Sequence, residues 1–158
     1  MIEVNERIEV PSAPRTVWNV LSDPHEVVAC VPGAALGEQQ EDGSYDATLT
    51  VKFGPAKVTF RARFALELDA AAMAGRVIAR GRDDQGGTRI RSTMNFKVVE
   101  QAEPPGTAIP IEAQVEIGGR LATLVEGGAT LVVKRMTKEF TERLVERCTG
   151  SGAAQSTC

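Results

Sequence analysis

A chain of 158 residues is long enough for one substantial hydrophobic core and too short for two, and a net charge of -3 with a pI near 5.3 gives nucleic acid no general attraction. No apolar run approaches the roughly 18 residues of a membrane-spanning helix. The alternating, acidic start from Met1 to Glu6 lacks the basic and apolar regions of a secretory leader, so a cytoplasmic protein is expected.

Ile2, Val4, Ile8 and Val10 alternate with Glu3, Asn5, Arg7 and Glu9, and Glu6 interrupts the apolar set, which predicts a half-buried first strand ended by Pro11. Ser12 is the expected cap of a short helix with Pro14 in its first turn and Val17, Trp18 and Leu21 on one face. Asp23, Pro24 and Glu26 supply a cap, a first-turn proline and an acid three residues after the cap, predicting a second short helix to about Ala29. Pro32-Gly33 closes it.

From Ala34 onward the breaks are those of antiparallel hairpins: Asp42-Gly43, Gly54-Pro55, residues 70–75, Gly86-Gly87 and Pro104-Pro105-Gly106. Between them parity separates two faces. Tyr45, Ala47, Leu49, Val51 and Phe53 share one side, as do Val58, Phe60, Ala62, Phe64, Leu66 and Leu68, then Ile90, Ser92, Met94, Phe96 and Val98, and finally Ile109, Ile111, Ala113, Val115 and Ile117. The opposite side carries Thr48, Thr50, Lys52, Arg61, Arg63, Glu67, Arg89, Arg91, Asn95, Lys97, Glu112, Gln114 and Glu116.

A last periodic segment, about 118–148, predicts one long helix. Leu121, Leu124, Val125, Gly128 and Val132 form one stripe, and Val133, Met136, Phe140 and Leu144 a second, a quarter turn round, with the change of surface near Gly127-Gly128. Such a helix needs an apolar partner, because ordering each residue costs about 1–2 kcal/mol and each buried Leu, Val or Phe returns roughly 1.5–3 kcal/mol. The sum of these elements is an α+β domain over 1–148: a curved antiparallel sheet of about seven strands wrapped around a long C-terminal helix, a helix-grip arrangement with two short helices after the first strand. Residues 149–158 are small and polar without periodicity and read as a flexible tail.

Few residues offer chemistry. His25 is the sole histidine and sits in the first turn of a helix without clustered thiols or carboxylates, so neither a metal site nor a histidine-based catalytic site is expected. Cys30, Cys148 and Cys158 are odd in number and far apart, which fits reduced thiols, and Cys30 is expected to pack rather than attack. Asp83-Asp84 is expected to serve the adjoining turn. The inward positions carry few polar residues, chiefly Tyr45, Thr88 and Ser92, and none is an acid or histidine placed for general acid/base work. On the outward side, Arg61, Arg63, Arg89 and Arg91 form a basic set with two readings: cross-strand pairing with outward acids, or docking of an acidic partner protein or an anionic membrane surface.

Pro14-x-x-Val17-Trp18-x-x-Leu21-x-Asp23-Pro24, then Val31-Pro32-Gly33-Ala34, Val51-Lys52-Phe53-Gly54-Pro55, Gly81-Arg82-Asp83 with Gly86-Gly87, and Gly118-Gly119-Arg120-Leu121-Ala122 together resemble the carbon monoxide dehydrogenase CoxG family of the START-like, polyketide-cyclase-like (SRPBCC) helix-grip superfamily. The resemblance runs from Ile2 to about Arg147. It departs at Arg61, where a small residue is the family's expectation, and in the tail, which carries no apolar extension. It implies a nonenzymatic accessory protein of a molybdenum hydroxylase system, helping to recruit or couple the dehydrogenase to the inner face of the membrane. It also implies an apolar cavity between sheet and helix, with no required cofactor and a quinone-like or lipid-like molecule as the candidate ligand. Tyr45, Leu49, Phe60, Phe64, Met94, Phe96, Leu124, Gly128, Val132 and Met136 are the expected lining. The alternatives that stay open are a small cyclase or hydratase of the same superfamily using Tyr45, and a docking module without ligand.

Overall fold

A computed structural model describes residues 2–53, 55–83, 87–119 and 122–151, and at residues 53, 56, 122–127, 129, 150 and 151 it describes the backbone alone. In chain order the elements are β1 (Ile2–Val10), α1 (Pro14–Leu21), α2 (Pro24–Cys30), β2 (Ala34–Gln39), β3 (Tyr45–Phe53), β4 (Ala56–Asp69), β5 (Ala74–Asp83), β6 (Thr88–Lys97), β7 (Val99–Gln101), β8 (Gly106–Gly119) and α3 (Ala122–Glu146), which continues into a π-helical turn (Arg147–Ser151) over the first residues of the expected tail. The strands make one antiparallel sheet, ordered β1-β8-β6-β5-β4-β3-β2, with the short β7 also on β8. This is the expected curved sheet with a C-terminal helix, and β7 is the one strand too brief for alternation to reveal. Gly54, Asp84, Gly86, Arg120, Leu121, Cys158 and the tail from 152 on lie outside the described residues.

Local chemistry explains most boundaries and corrects two expectations. Asp23 caps α2 as its sequence requires, its carboxylate accepting from the His25 N–H at 2.9 Å. An Asp23→Ala exchange is expected to cost about 1 kcal/mol. Urea unfolding checks this, and Asp23→Asn should retain most of the stability. Ser12, by contrast, is not the cap of α1. Pro14 occupies the first helical position, so Ala13 is the cap and no side chain fills that role, while the Ser12 carbonyl accepts from the Thr107 hydroxyl at 2.6 Å. Gly118 and Gly119, expected at the head of the long helix, instead end β8. Gly119 has φ of 105°, and a Cβ there would come within 2.1 Å of the Gly87 carbonyl, so only glycine fits the passage out of the sheet.

Two hydrophobic clusters hold α3 to one face of the sheet. Ile8, Val10, Val17, Trp18, Leu21, Cys30, Val98, Ile109, Leu144 and Cys148 form the first, with Phe96, Ile111 and Phe140 packed against it. Val51, Val58, Phe60 and Val132 form the second, joined by Leu49, Ile90, Ile117 and Met136. The helix therefore passes from one cluster to the other between Met136 and Phe140, two turns later than the glycine pair, because Val132, Met136, Phe140 and Leu144 follow steps of four down one slowly drifting stripe. Arg135 ties the helix to β3 by donating to the Lys52 carbonyl at 3.1 Å, and Arg147 pairs with Glu26 of α2.

Cys30 and Cys148 sit inside the first cluster as free thiols. Burial pushes the Cys30 thiol up from its ordinary value, with Arg147 acting in the opposite direction. Burial, assisted by Cys30, pushes Cys148 up to about 11. At pH 8 both stay protonated, so iodoacetamide is expected to label neither at the rate seen in urea, as mass spectrometry of the two peptides will report. The folded state holds the Cys148 proton more tightly than the unfolded state does. Its contribution to stability is thus complete below pH 9 and declines as pH rises from 9.0 to about 11.

Candidate functional site

Strand pairing defines what each face of the sheet presents. On the helix side, one row across the strands reads Ala47, Ala62, Gly81, Ile90 and Ile117, the next Tyr45, Phe64, Ala79, Ser92 and Val115, and the third Leu66, Val77, Met94 and Ala113. Large residues thus gather at the two clusters, and small ones, Ala47, Ala62, Gly81, Ala79, Ser92 and Ala113, occupy the floor between them. Although these rows lie on the helix face, most remain only partly buried; Met94 is 36% exposed, and Leu68, one row further along β4, is 41% exposed. Between the α3 anchors at Val132–Met136 and at Phe140–Leu144, this stretch of small and apolar side chains is a partly exposed apolar surface on the helix side, a shallow recess in the packing. Tyr45 and Phe64 wall its β3–β4 end, their rings stacked at 5.6 Å and 20°.

The expected lining residues divide between packing and this recess. Phe60, 2% exposed, and Val132 are core residues of the second cluster, with Leu49 and Met136 packed on them; Phe96 packs on the first cluster, 6.2 Å from the Trp18 ring. Tyr45, Phe64 and Met94 are the three that border the recess. Gly128 is partly buried on α3, and the Leu124 side chain lies outside the described residues. The alanines and Gly81 were legible by the same parity, yet a search for large apolar residues passes over them.

Acids do reach the helix side, contrary to expectation. The alternation that carries Val77 and Ala79 inward carries Asp83 with them, opposite Phe60, and Glu6 opposite Ile111. Asp83 is 6% exposed and accepts from the Gly87 N–H at 2.9 Å, so its carboxylate also holds the turn, as its sequence context predicts. His25 is exposed on α2. Among the described residues, no group of three His, Cys, Asp or Glu is placed to hold a metal ion, and no helix is long and apolar enough to cross a membrane.

The outward face carries a larger feature. A twisted sheet is saddle-shaped, and here its far side holds an open groove of about 1340 Å³ across β2 to β8. Arg61, Arg82 and Arg89 are register partners in one row, and Arg63, Arg80 and Arg91 in the next. All six line the groove, with Asp46 and Glu116 the lining carboxylates. Neighbouring strands are about 4.8 Å apart and alternate residues about 6.8 Å, so adjacent guanidinium groups repel one another by about 0.5–1 kcal/mol in a water-like medium. Asp46 accepts from Arg63 at 3.1 Å, and Arg61 is also engaged. Four of the six were expected from sequence. Arg80 and Arg82 were not, because β5 hides its two faces: Gly75, Gly81 and Asp83 face inward while Ile78 faces outward, so its hydropathy barely alternates.

A family model described as CoxG of carbon monoxide dehydrogenase matches residues 6–148. No curated protein matches the chain. Among solved structures, a conserved protein from Geobacillus kaustophilus superposes with a TM-score of 0.74 at 19% identity, covering 92% of this chain and 97% of that one. The Zhui aromatase/cyclase from Streptomyces gives 0.61 at 15% identity over 93% of both chains, and a START superfamily protein from Mycobacterium smegmatis 0.60 at 18%, over 93% and 99%. These likenesses are of fold, in agreement with the sheet and helix described above. With the family model spanning both clusters, the recess and the groove, the chain belongs to the carbon monoxide dehydrogenase CoxG family.

Proposed function

We propose that this chain is a nonenzymatic accessory protein of a molybdenum hydroxylase system, holding a hydrophobic, quinone-like or lipid-like molecule in the recess between sheet and α3 and helping to couple the dehydrogenase to the membrane. The observation that carries the ligand reading is the recess itself: small residues form its floor where the sheet faces the helix, and Met94 remains 36% exposed there. Water on such a surface is unfavourable by roughly 25 cal/mol for each Å² of apolar area, and a flat apolar molecule would displace it. Tyr45 and Ser92, on the same inward row, are the hydroxyls that would orient a ligand carbonyl. Binding is favoured over turnover because Asp83 is engaged with its turn and the sole histidine is outside the recess.

Organic extraction of the purified protein followed by mass spectrometry tests this. A stoichiometric hydrophobic compound is expected. Decylubiquinone added to extracted protein should quench Trp18, the only tryptophan, in a saturable manner. A clean extract together with no saturable quenching would overturn the ligand reading.

A further inference from the structure

We infer that the arginine groove on the outward face is a docking site for an acidic polypeptide segment of a partner protein. Six of the chain's 18 basic residues converge there, on three adjacent strands of a protein whose net charge is -3. Cross-strand pairing engages Arg63 but does not account for Arg80, Arg82, Arg89 and Arg91. Asp46 is committed to Arg63 and bonded to Gln40, and among the described residues no ion pair joins Arg80, Arg82, Arg89 or Arg91 to a carboxylate. All six are arginine, whose planar fork pairs with a carboxylate through two parallel hydrogen bonds, a geometry lysine does not supply.

Shape selects the class of partner. Arg61 and Arg63, Arg82 and Arg80, and Arg89 and Arg91 form three pairs along their strands, each about 6.8 Å long. An extended acidic segment, with carboxylates on alternate residues, has the same repeat. Asp46 near one margin and Glu116 near the other flank the guanidinium groups. They would repel the broad negative surface of a bilayer or a nucleic-acid backbone, whereas a narrow peptide fits between them. A groove also keeps a planar membrane away from its floor. This inference does not rest on the ligand reading, because the recess lies on the opposite face of the sheet.

The test is fluorescence anisotropy with a labelled twelve-residue peptide of alternating glutamate and serine, using the full chain after organic extraction. The expected result is saturable binding that weakens at least tenfold between 50 and 300 mM salt, consistent with exposed charge pairing on the order of a Debye length of 8–10 Å. The Arg82→Glu/Arg91→Glu double variant should weaken it at least tenfold further. Neither arginine makes an ion pair within the described chain, and the new carboxylate at 91 faces Glu116 only on an exposed sheet surface, so the variant should keep the parent's circular dichroism and melt within a few degrees of it. An Arg82→Lys/Arg91→Lys variant, which preserves charge and folding, should bind several-fold more weakly than the parent. Equal binding by parent and charge-reversed protein would overturn the inference. So would tight association with phosphatidylglycerol vesicles or a single-stranded RNA while the acidic peptide fails to bind. Loss of quinone binding by an unrelated recess variant would leave this result unchanged.

Discussion

Replacing Leu144 with alanine is expected to lower the unfolding free energy by about 2–5 kcal/mol. Its side chain is fully buried at 0% exposure, where the last turns of α3 meet β1, α1, α2 and β8 through Ile8, Val10, Val17, Leu21, Cys30 and Ile109. The cavity left behind would sit at the centre of the first cluster. For a chain of this size the fall in melting temperature should be about 4–20 °C. Leu131→Ala is the matched control. Leu131 is 78% exposed on the same helix, and leucine and alanine are both good helix formers, so that change should stay within about 0.5 kcal/mol. Urea denaturation of the two variants reads the difference; equal losses would mean that α3 is not anchored by its C-terminal half.

Filling the recess should separate ligand binding from folding. Ala62 and Ala79 are neighbours on adjacent inward rows of β4 and β5, both only partly buried. Leucine at both positions would occupy the floor with apolar side chains while leaving Phe60, Val58 and the two clusters untouched. The Ala62→Leu/Ala79→Leu protein is expected to bind decylubiquinone at least tenfold more weakly, with a melting temperature within a few degrees of the parent, because overpacking costs of about 1–3 kcal/mol belong to sites that are already closed. Isothermal titration and a thermal melt on the same sample measure both. Unchanged affinity would move the ligand away from the recess.

Much of the architecture was legible because parity is a backbone property. Val58, Phe60, Ala62 and Phe64 must share a face whatever packs on them, and the register places them on the helix side together with Leu49, Ile90 and Ile117. The cap at Asp23 was legible for a similar reason: one acid before a proline has one use there. What sequence could not distinguish is which inward residues meet the helix. Phe60 and Met94 have the same alternation, yet one is 2% and the other 36% exposed, and that difference depends on the diagonal path of α3 between its two anchors. Asp83 escaped notice because its turn context explained it fully, and only the pairing with Phe60 reveals that it also faces inward. The groove required the pairing of β4, β5 and β6, which brings Arg61, Arg82 and Arg89 into one row from three separate stretches of chain.

A hydrophobic ligand is expected on the helix side of the sheet. Methyl-labelled NMR during titration with decylubiquinone addresses it residue by residue. The methyl signals of Ala47, Ala62, Ala79, Ala113 and Met94 on the inward rows should shift with saturation, while Ala65 and Ile78, register partners on the outward face, should not. Shifts confined to Ala65 and Ile78, or no saturable shift at any of these methyls, would rule out a ligand on that side.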